Sequence, residues 1–111
     1  TLFSAGTRKL YLYCMGRRGQ RLLEYLQLRG IQVTACSDSN AALWGREIHG
    51  TPCVAPEEIP RENSLLIVTK AKPKELVLSL KKDFNNVISY DDIKEQLCEV
   101  PVLKKYLPDQ L

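Results

Sequence analysis

Short apolar runs alternate along the chain with segments in which apolar residues recur at helical spacing. Each apolar run is bounded by turn residues, a pattern typical of buried strands. The predicted strands are 10–14, 32–37, 52–55, 65–69 and 87–89. The predicted helices are 19–29, 73–83 and one that starts at Asp91 or Asp92 and runs through Cys98. Gly30 is expected to end the first helix in the left-handed conformation.

This alternation predicts an α/β protein with a Rossmann-like, three-layer architecture. We expect a parallel sheet of about five strands in the order 3-2-1-4-5, with helices on both faces and right-handed crossovers. The 111 residues suffice for one domain with its own core. We assign that domain to residues 1–99, and residues 100–111 to a C-terminal extension or linker. Because the chain begins at Thr1, we expect it to be either a piece excised from a larger protein or naturally joined to one.

The end of the first strand carries the main candidate site, a glycine loop that runs from Cys14 to Gly19. Two glycines three positions apart, Gly16 and Gly19, lead directly into a helix, whose free N–H groups can bind a phosphate. In the dinucleotide pattern Gly-x-Gly-x-x-Gly, Cys14 takes the first position. The two retained glycines serve phosphate approach and close helix packing. A structural strand-to-helix turn without a ligand explains the same residues.

Asp38 ends the second strand, 22 positions after Gly16. An acidic residue near this position binds the ribose in dinucleotide folds. The same carboxylate could instead cap the short turn before Ala41. The sequence leaves both roles open.

Basic residues follow the two strands that flank the predicted ligand crevice. They are Arg17, Arg18 and Arg21 after the first strand and Lys70 and Lys72 after the fourth. We expect them to converge at one sheet edge, because the crevice lies at the carboxyl ends of these strands. With the helix N-terminus they favour an anion such as a nucleotide diphosphate. Solvated loop charges are the alternative.

Composition narrows the possible partners. The net charge of +3 is mild and the charges are interleaved, which argues against a nucleic-acid arm or a membrane patch. No apolar run approaches the ~18 residues needed to cross a bilayer, and no secretory signal is evident. These features predict a soluble, cytoplasmic protein.

The cysteines and the single histidine show no metal-ligand spacing. Cys14, Cys36, Cys53 and Cys98 form no Cys-x-x-Cys pair, and His49 has no companion histidine. We expect reduced structural thiols and no metal. Cys14 is the exception, because its place beside the glycine loop could bring it to a ligand or an oxidant.

Three segments together resemble a known family. They are the strand-Gly-x-x-Gly-helix opening, the Asp38-Ser39-Asn40 turn, and Leu-Trp-Gly-Arg-Glu-Ile-His-Gly-Thr-Pro-Cys-Val at 43–54. Residues 9–95 resemble the Rossmann-like N-terminal domain of bacterial sugar O- and N-acyltransferases of the sialic-acid and bacillosamine type. Similar units accompany glycosyltransferases and methyltransferases of surface polysaccharide pathways.

This resemblance implies a nucleotide-sugar held by the backbone at Gly16 and Gly19 and by Asp38, with acyl transfer performed elsewhere. The chain departs from the family at Cys14, where relatives carry glycine. It also has Arg17 and Arg18 where acyltransferases often carry glycine or histidine. Arginine cannot act as a general base at neutral pH, so we do not expect this domain to catalyse acyl transfer alone.

Three functions therefore compete. The leading hypothesis is a nucleotide or nucleotide-sugar binding module that serves a covalently linked catalytic domain in polysaccharide or glycan biosynthesis. The second is a vestigial or protein-interaction domain without a ligand. The third, an NAD(P)-dependent reductase, rests on the glycine loop and on the Tyr-x-x-x-Lys spacing of Tyr90 and Lys94.

Overall fold

The structure, a computed structural model, describes residues 9–92. Its strands are β1 (Lys9–Tyr13), β2 (Ala35–Ser37), β3 (Glu47–Ile48), β4 (Thr51–Val54), β5 (Ser64–Val68) and β6 (Val87–Ser89). Its helices are α1 (Arg17–Leu28) and α2 (Lys74–Leu80), with 3-10 helices at Ala41–Leu43 and Pro56–Glu58. Residues 90–92 are helical. The rest of the helix predicted through Cys98, and the predicted extension 100–111, lie outside the described residues.

The strands form one mostly parallel sheet in the order β3-β4-β2-β1-β5-β6. The prediction of five strands in the order 3-2-1-4-5 was incomplete, because β3 adds an antiparallel strand at the edge beside β4. A tight turn makes this hairpin possible, since His49 and Gly50 both adopt positive φ, 50° and 81°. Two successive positive φ values are typical of the two-residue turns that join antiparallel strands.

Helices cover both faces of the sheet, as the α/β prediction requires. On one face α1 contributes Leu22 and Leu26 to a core that includes Leu12 of β1. On the opposite face Tyr11 and Tyr13 pack in a second core together with Leu80 of α2 and with Phe84, Val87 and Ile59. Because successive strand residues point to opposite faces, β1 serves both cores and is central to the molecule.

Some element boundaries differ from the prediction. β2 begins at Ala35 and not at residue 32, because its pairing with β1 starts where Tyr11 faces Ala35. Helix α2 ends at Leu80, three residues before the predicted end at 83, and a turn follows it. The prediction for Gly30 is confirmed, since its φ is +75° directly after the end of α1.

Candidate functional site

Thr69, which follows β5, joins the two loops that were predicted to face the ligand. Its backbone N–H and its hydroxyl both donate to the Tyr13 carbonyl at 3.1 Å. The hydroxyl shares this one proton with the Cys14 carbonyl in a bifurcated hydrogen bond. Thr69 is 1% exposed, so these bonds are shielded from water. The glycine loop and the segment that carries Lys70 and Lys72 therefore meet at one edge of the sheet.

Cys14 adopts the backbone conformation that a glycine would adopt at the start of the fingerprint. Its φ is 76°, in the left-handed region that side chains other than glycine rarely enter. Its N–H donates to the Ser37 carbonyl at 3.0 Å, which ties the start of the loop to the end of β2. Cys14 thus makes the tight turn at the cost of some backbone strain.

The two glycines of the loop, Gly16 and Gly19, differ in how much space surrounds the position that a Cβ atom would occupy. A Cβ on Gly19 would lie 2.1 Å from the Cys14 carbonyl oxygen, so only glycine lets α1 approach the loop this closely. This confirms the packing role predicted for Gly19. A Cβ on Gly16 would have no described atom within 4 Å, and the φ of Gly16 is −73°. The backbone at Gly16 is therefore open to an approaching group.

Asp38 is held by the chain's own backbone. Its Oδ2 accepts from the Met15 N–H of the glycine loop at 2.7 Å, and its Oδ1 accepts from the Asn40 N–H at 2.9 Å. The second bond is the turn-capping interaction that the sequence left as one of two roles. The Trp44 Nε1–H donates to the Asp38 carbonyl at 2.8 Å. The ribose contact predicted for Asp38 stays a prediction.

Arg18 is also held by protein groups. Its Nε donates to the Thr69 carbonyl at 2.9 Å, and its guanidinium pairs with Asp91 at 3.2 Å. The same guanidinium lies 5.5 Å from the centre of the Tyr90 ring. Arg18 thus joins α1 to the segments after β5 and β6, a structural role that the sequence analysis did not foresee.

The remaining basic residues of the candidate site are more accessible. Arg17, Lys70 and Lys72 are exposed, whereas Arg21 is half-buried one turn along α1. The first turn of α1 contains no acidic residue. An anion could therefore be bound by the N–H groups of this first turn and by the three exposed cations, Arg17, Lys70 and Lys72.

Sequence reasoning missed Thr69 and Asp91. Thr69 had a signal, because a small hydroxyl residue ends the most apolar predicted strand, 65–69. Asp91 had none, since it lies 73 positions from the arginine that it contacts. Local patterns do not report contacts of this range.

The Cys14 thiol is a weak acid here. Burial, together with the Asp38 charge, raises the pKa of Cys14 to about 11, although the nearby Lys70 charge and backbone N–H act in the opposite direction. The thiolate is the reactive form of cysteine, so Cys14 is poorly suited to act as a nucleophile near neutral pH.

Cys36 and Cys53 face each other on β2 and β4 and are fully buried free thiols. Burial, together with the neighbouring Cys53 thiol, raises the pKa of Cys36 to about 12. Among residues 9–92, no three His, Cys, Asp or Glu side chains are grouped so that they could hold a metal ion.

These thiols predict that stability falls at alkaline pH. The folded-state pKa values of Cys14 and Cys36, about 11 and about 12, exceed the ordinary value of 9.0. Burial raises the pKa of Tyr11 and Tyr13 in the same direction. The unfolded chain therefore loses protons first, and the free energy of unfolding falls as pH rises from the ordinary thiol pKa towards 11. Urea denaturation followed by circular dichroism at several pH values measures this.

The control for this prediction is Cys14→Ser, whose hydroxyl does not titrate in that range. We expect a shallower decline of stability with pH for this variant than for the wild type. Equal stability of the wild type at pH values below and well above the ordinary thiol pKa would contradict the prediction.

Fold and loop geometry together define a small α/β protein of broadly Rossmann-like type, with its two candidate loops at the carboxyl ends of adjacent central strands. No family model, curated protein or solved structure matches the chain. Within residues 9–92, none of the helices combines the length and the apolar character that a membrane span requires.

Proposed function

We propose that this chain is a nucleotide or nucleotide-sugar binding module that presents its ligand to a catalytic partner domain. The observation that carries the proposal is the bonding of Thr69 to Tyr13 and Cys14. It brings the N-terminus of α1 and the segment with Lys70 and Lys72 to one sheet edge. In open α/β sheets this edge, where the strand order changes direction, is the usual ligand crevice.

The charges at this edge favour a phosphate group. Arg17, Lys70 and Lys72 are exposed, and the N-terminus of α1 adds a partial positive charge. The open backbone at Gly16 provides room for a diphosphate to approach the helix. The Asp38 carboxylate opposes an anion, but it already accepts hydrogen bonds from two backbone N–H groups. The three exposed cations therefore outnumber the Asp38 carboxylate, and the other acid at this edge, Asp91, is paired with Arg18.

The partner domain and the pathway in this proposal come from the family resemblance of residues 9–95. They include polysaccharide or glycan biosynthesis and a covalently linked transferase. A cytoplasmic location belongs to the same proposal, and the free thiols of Cys14, Cys36 and Cys53 agree with a reducing compartment. NAD(P) is the less favoured cofactor, because Tyr90 is almost fully buried, 1% exposed, beside Arg18.

A second candidate function is a protein-interaction domain that no longer binds a ligand. Two specific observations favour it. Arg18 and Asp38, both predicted ligand residues, are engaged by groups of the protein itself. In this case the glycine loop serves only to connect β1 to α1.

Calorimetric titration decides between the two. We expect uridine diphosphate and UDP-sugars to bind. Arg17→Gln and Lys70→Gln should each weaken binding about tenfold, because each substitution removes one charge-assisted hydrogen bond to the ligand. Lys82→Gln is the matched control, because Lys82 is exposed beyond the end of α2 and should leave affinity unchanged. If no nucleotide diphosphate binds and none raises the thermal stability of the chain, the result favours the second candidate function, a protein-interaction domain.

A further inference from the structure

Asp38 directs both carboxylate oxygens at backbone N–H groups on two different segments. One oxygen accepts from Met15 in the glycine loop and the other from Asn40 in the following turn. A carboxylate that accepts at 2.7 Å from a backbone N–H makes a strong, charge-assisted bond. Asp38 therefore already acts as a bridge between the end of β2 and the loop after β1.

A ribose would have to use the remaining lone pairs of these two oxygens, on a side chain whose direction is already set by the Met15 and Asn40 N–H groups. In dinucleotide folds the acid at this place accepts hydrogen bonds from ribose hydroxyls. Turning Asp38 away from the loop and towards a ribose would leave the Met15 N–H without its acceptor, which is unfavourable for a partly buried donor. A new hydrogen bond from a ribose hydroxyl would add little net binding free energy, because the hydroxyl gives up its hydrogen bonds to water when it binds.

Neighbouring groups reinforce the inward orientation. The Trp44 indole N–H donates to the Asp38 carbonyl at 2.8 Å, which fixes the turn that carries the side chain. The Ser37 hydroxyl donates to the Val54 carbonyl at 2.6 Å and links the carboxyl ends of β2 and β4. These bonds fix the backbone on both sides of Asp38 and so help to hold its carboxylate in the observed direction.

We infer that Asp38 is a positioning residue for the glycine loop and not a ribose ligand, so that the site recognises its ligand through the diphosphate. This inference rests on the proposed function for the ligand and on the Asp38 contacts for the role of the side chain. The expected ligands are therefore diphosphate compounds, and removal of their ribose hydroxyls should change the affinity little.

The first test needs no ligand. Hydrogen exchange of the Met15 amide, followed by NMR on the whole chain, should accelerate at least tenfold in Asp38→Ala, because the amide loses its acceptor. Asp38→Asn keeps one acceptor oxygen and should restore much of the protection. Asp83→Ala is the control, since Asp83 is an exposed acid after α2. Equal Met15 exchange in Asp38→Ala and wild type would overturn the positioning role.

The second test compares ligands by calorimetry. Uridine diphosphate and its 2′,3′-dideoxy analogue should bind within about threefold of each other, and inorganic pyrophosphate should also bind. A preference of tenfold or more for the ribose compound, abolished by Asp38→Asn, would overturn the inference while leaving the proposed function intact. If none of the three compounds binds, the proposed function and its diphosphate ligand fail together, and the exchange experiment still decides the role of Asp38.

Discussion

Replacing Gly19 by alanine is expected to lower the free energy of unfolding by about 3 kcal/mol, because a new Cβ would overlap the backbone. The Cβ would lie 2.1 Å from the Cys14 carbonyl oxygen and 3.1 Å from the Met15 sulfur. The sulfur can move, but the carbonyl belongs to a loop fixed by bonds to Ser37 and Thr69. Urea denaturation followed by circular dichroism measures the loss.

Gly16→Ala is the matched control in the same loop. Its Cβ would meet no described atom within 4 Å, and its φ of −73° suits any residue. We expect a change in the free energy of unfolding of less than about 0.5 kcal/mol. Equal destabilisation by the two alanines would show that α1 does not approach the loop as described.

Thr69→Val should cost about 2 kcal/mol of stability, since valine keeps the shape but removes a buried hydroxyl. That hydroxyl shares its one proton between the Tyr13 and Cys14 carbonyls, and its loss leaves the Cys14 carbonyl without this donor. The Thr69 N–H still bonds Tyr13, so the fold should survive. Denaturation curves measure the loss.

The control for this substitution is Thr34→Val, at a half-buried threonine that follows α1. We expect its effect to stay below about 0.5 kcal/mol. If both valines behave alike, the Thr69 hydroxyl does not hold the two loops together.

The sequence predicted the centre of the molecule well, because the relevant signals there are local. A buried run followed by glycines predicts a strand that turns into a helix, and the structure has β1 and α1 at this place. The packing role of Gly19 and the left-handed Gly30 follow from the same local patterns.

Features that depend on short elements or distant contacts were not predictable. Strand β3 has two residues, too few for any alternation to show, and it exists only because β4 is beside it. The pairing of Arg18 with Asp91 depends on the positions of α1 and β6 in space. The sequence contained both residues but no pattern that links them.

The role of Asp38 shows a different limit. Ribose binding and turn capping use the same side chain, so the residue type does not choose between them. The folded chain shows the turn-capping bond from the Asn40 N–H at 2.9 Å, and it adds a contact that no local pattern predicts, from the Met15 N–H to the Asp38 carboxylate at 2.7 Å. Only the positions of β1 and β2 in the sheet set that distance.

NMR titration of the isotopically labelled chain with uridine diphosphate tests the central claim most directly, namely that the loops after β1 and β5 form one anion-binding edge. We expect saturable shifts of the backbone amides of residues 15–19 and 69–72, with the amides of α2 unchanged. Unchanged amides in both loops at millimolar ligand, or shifts centred on α2, would contradict it.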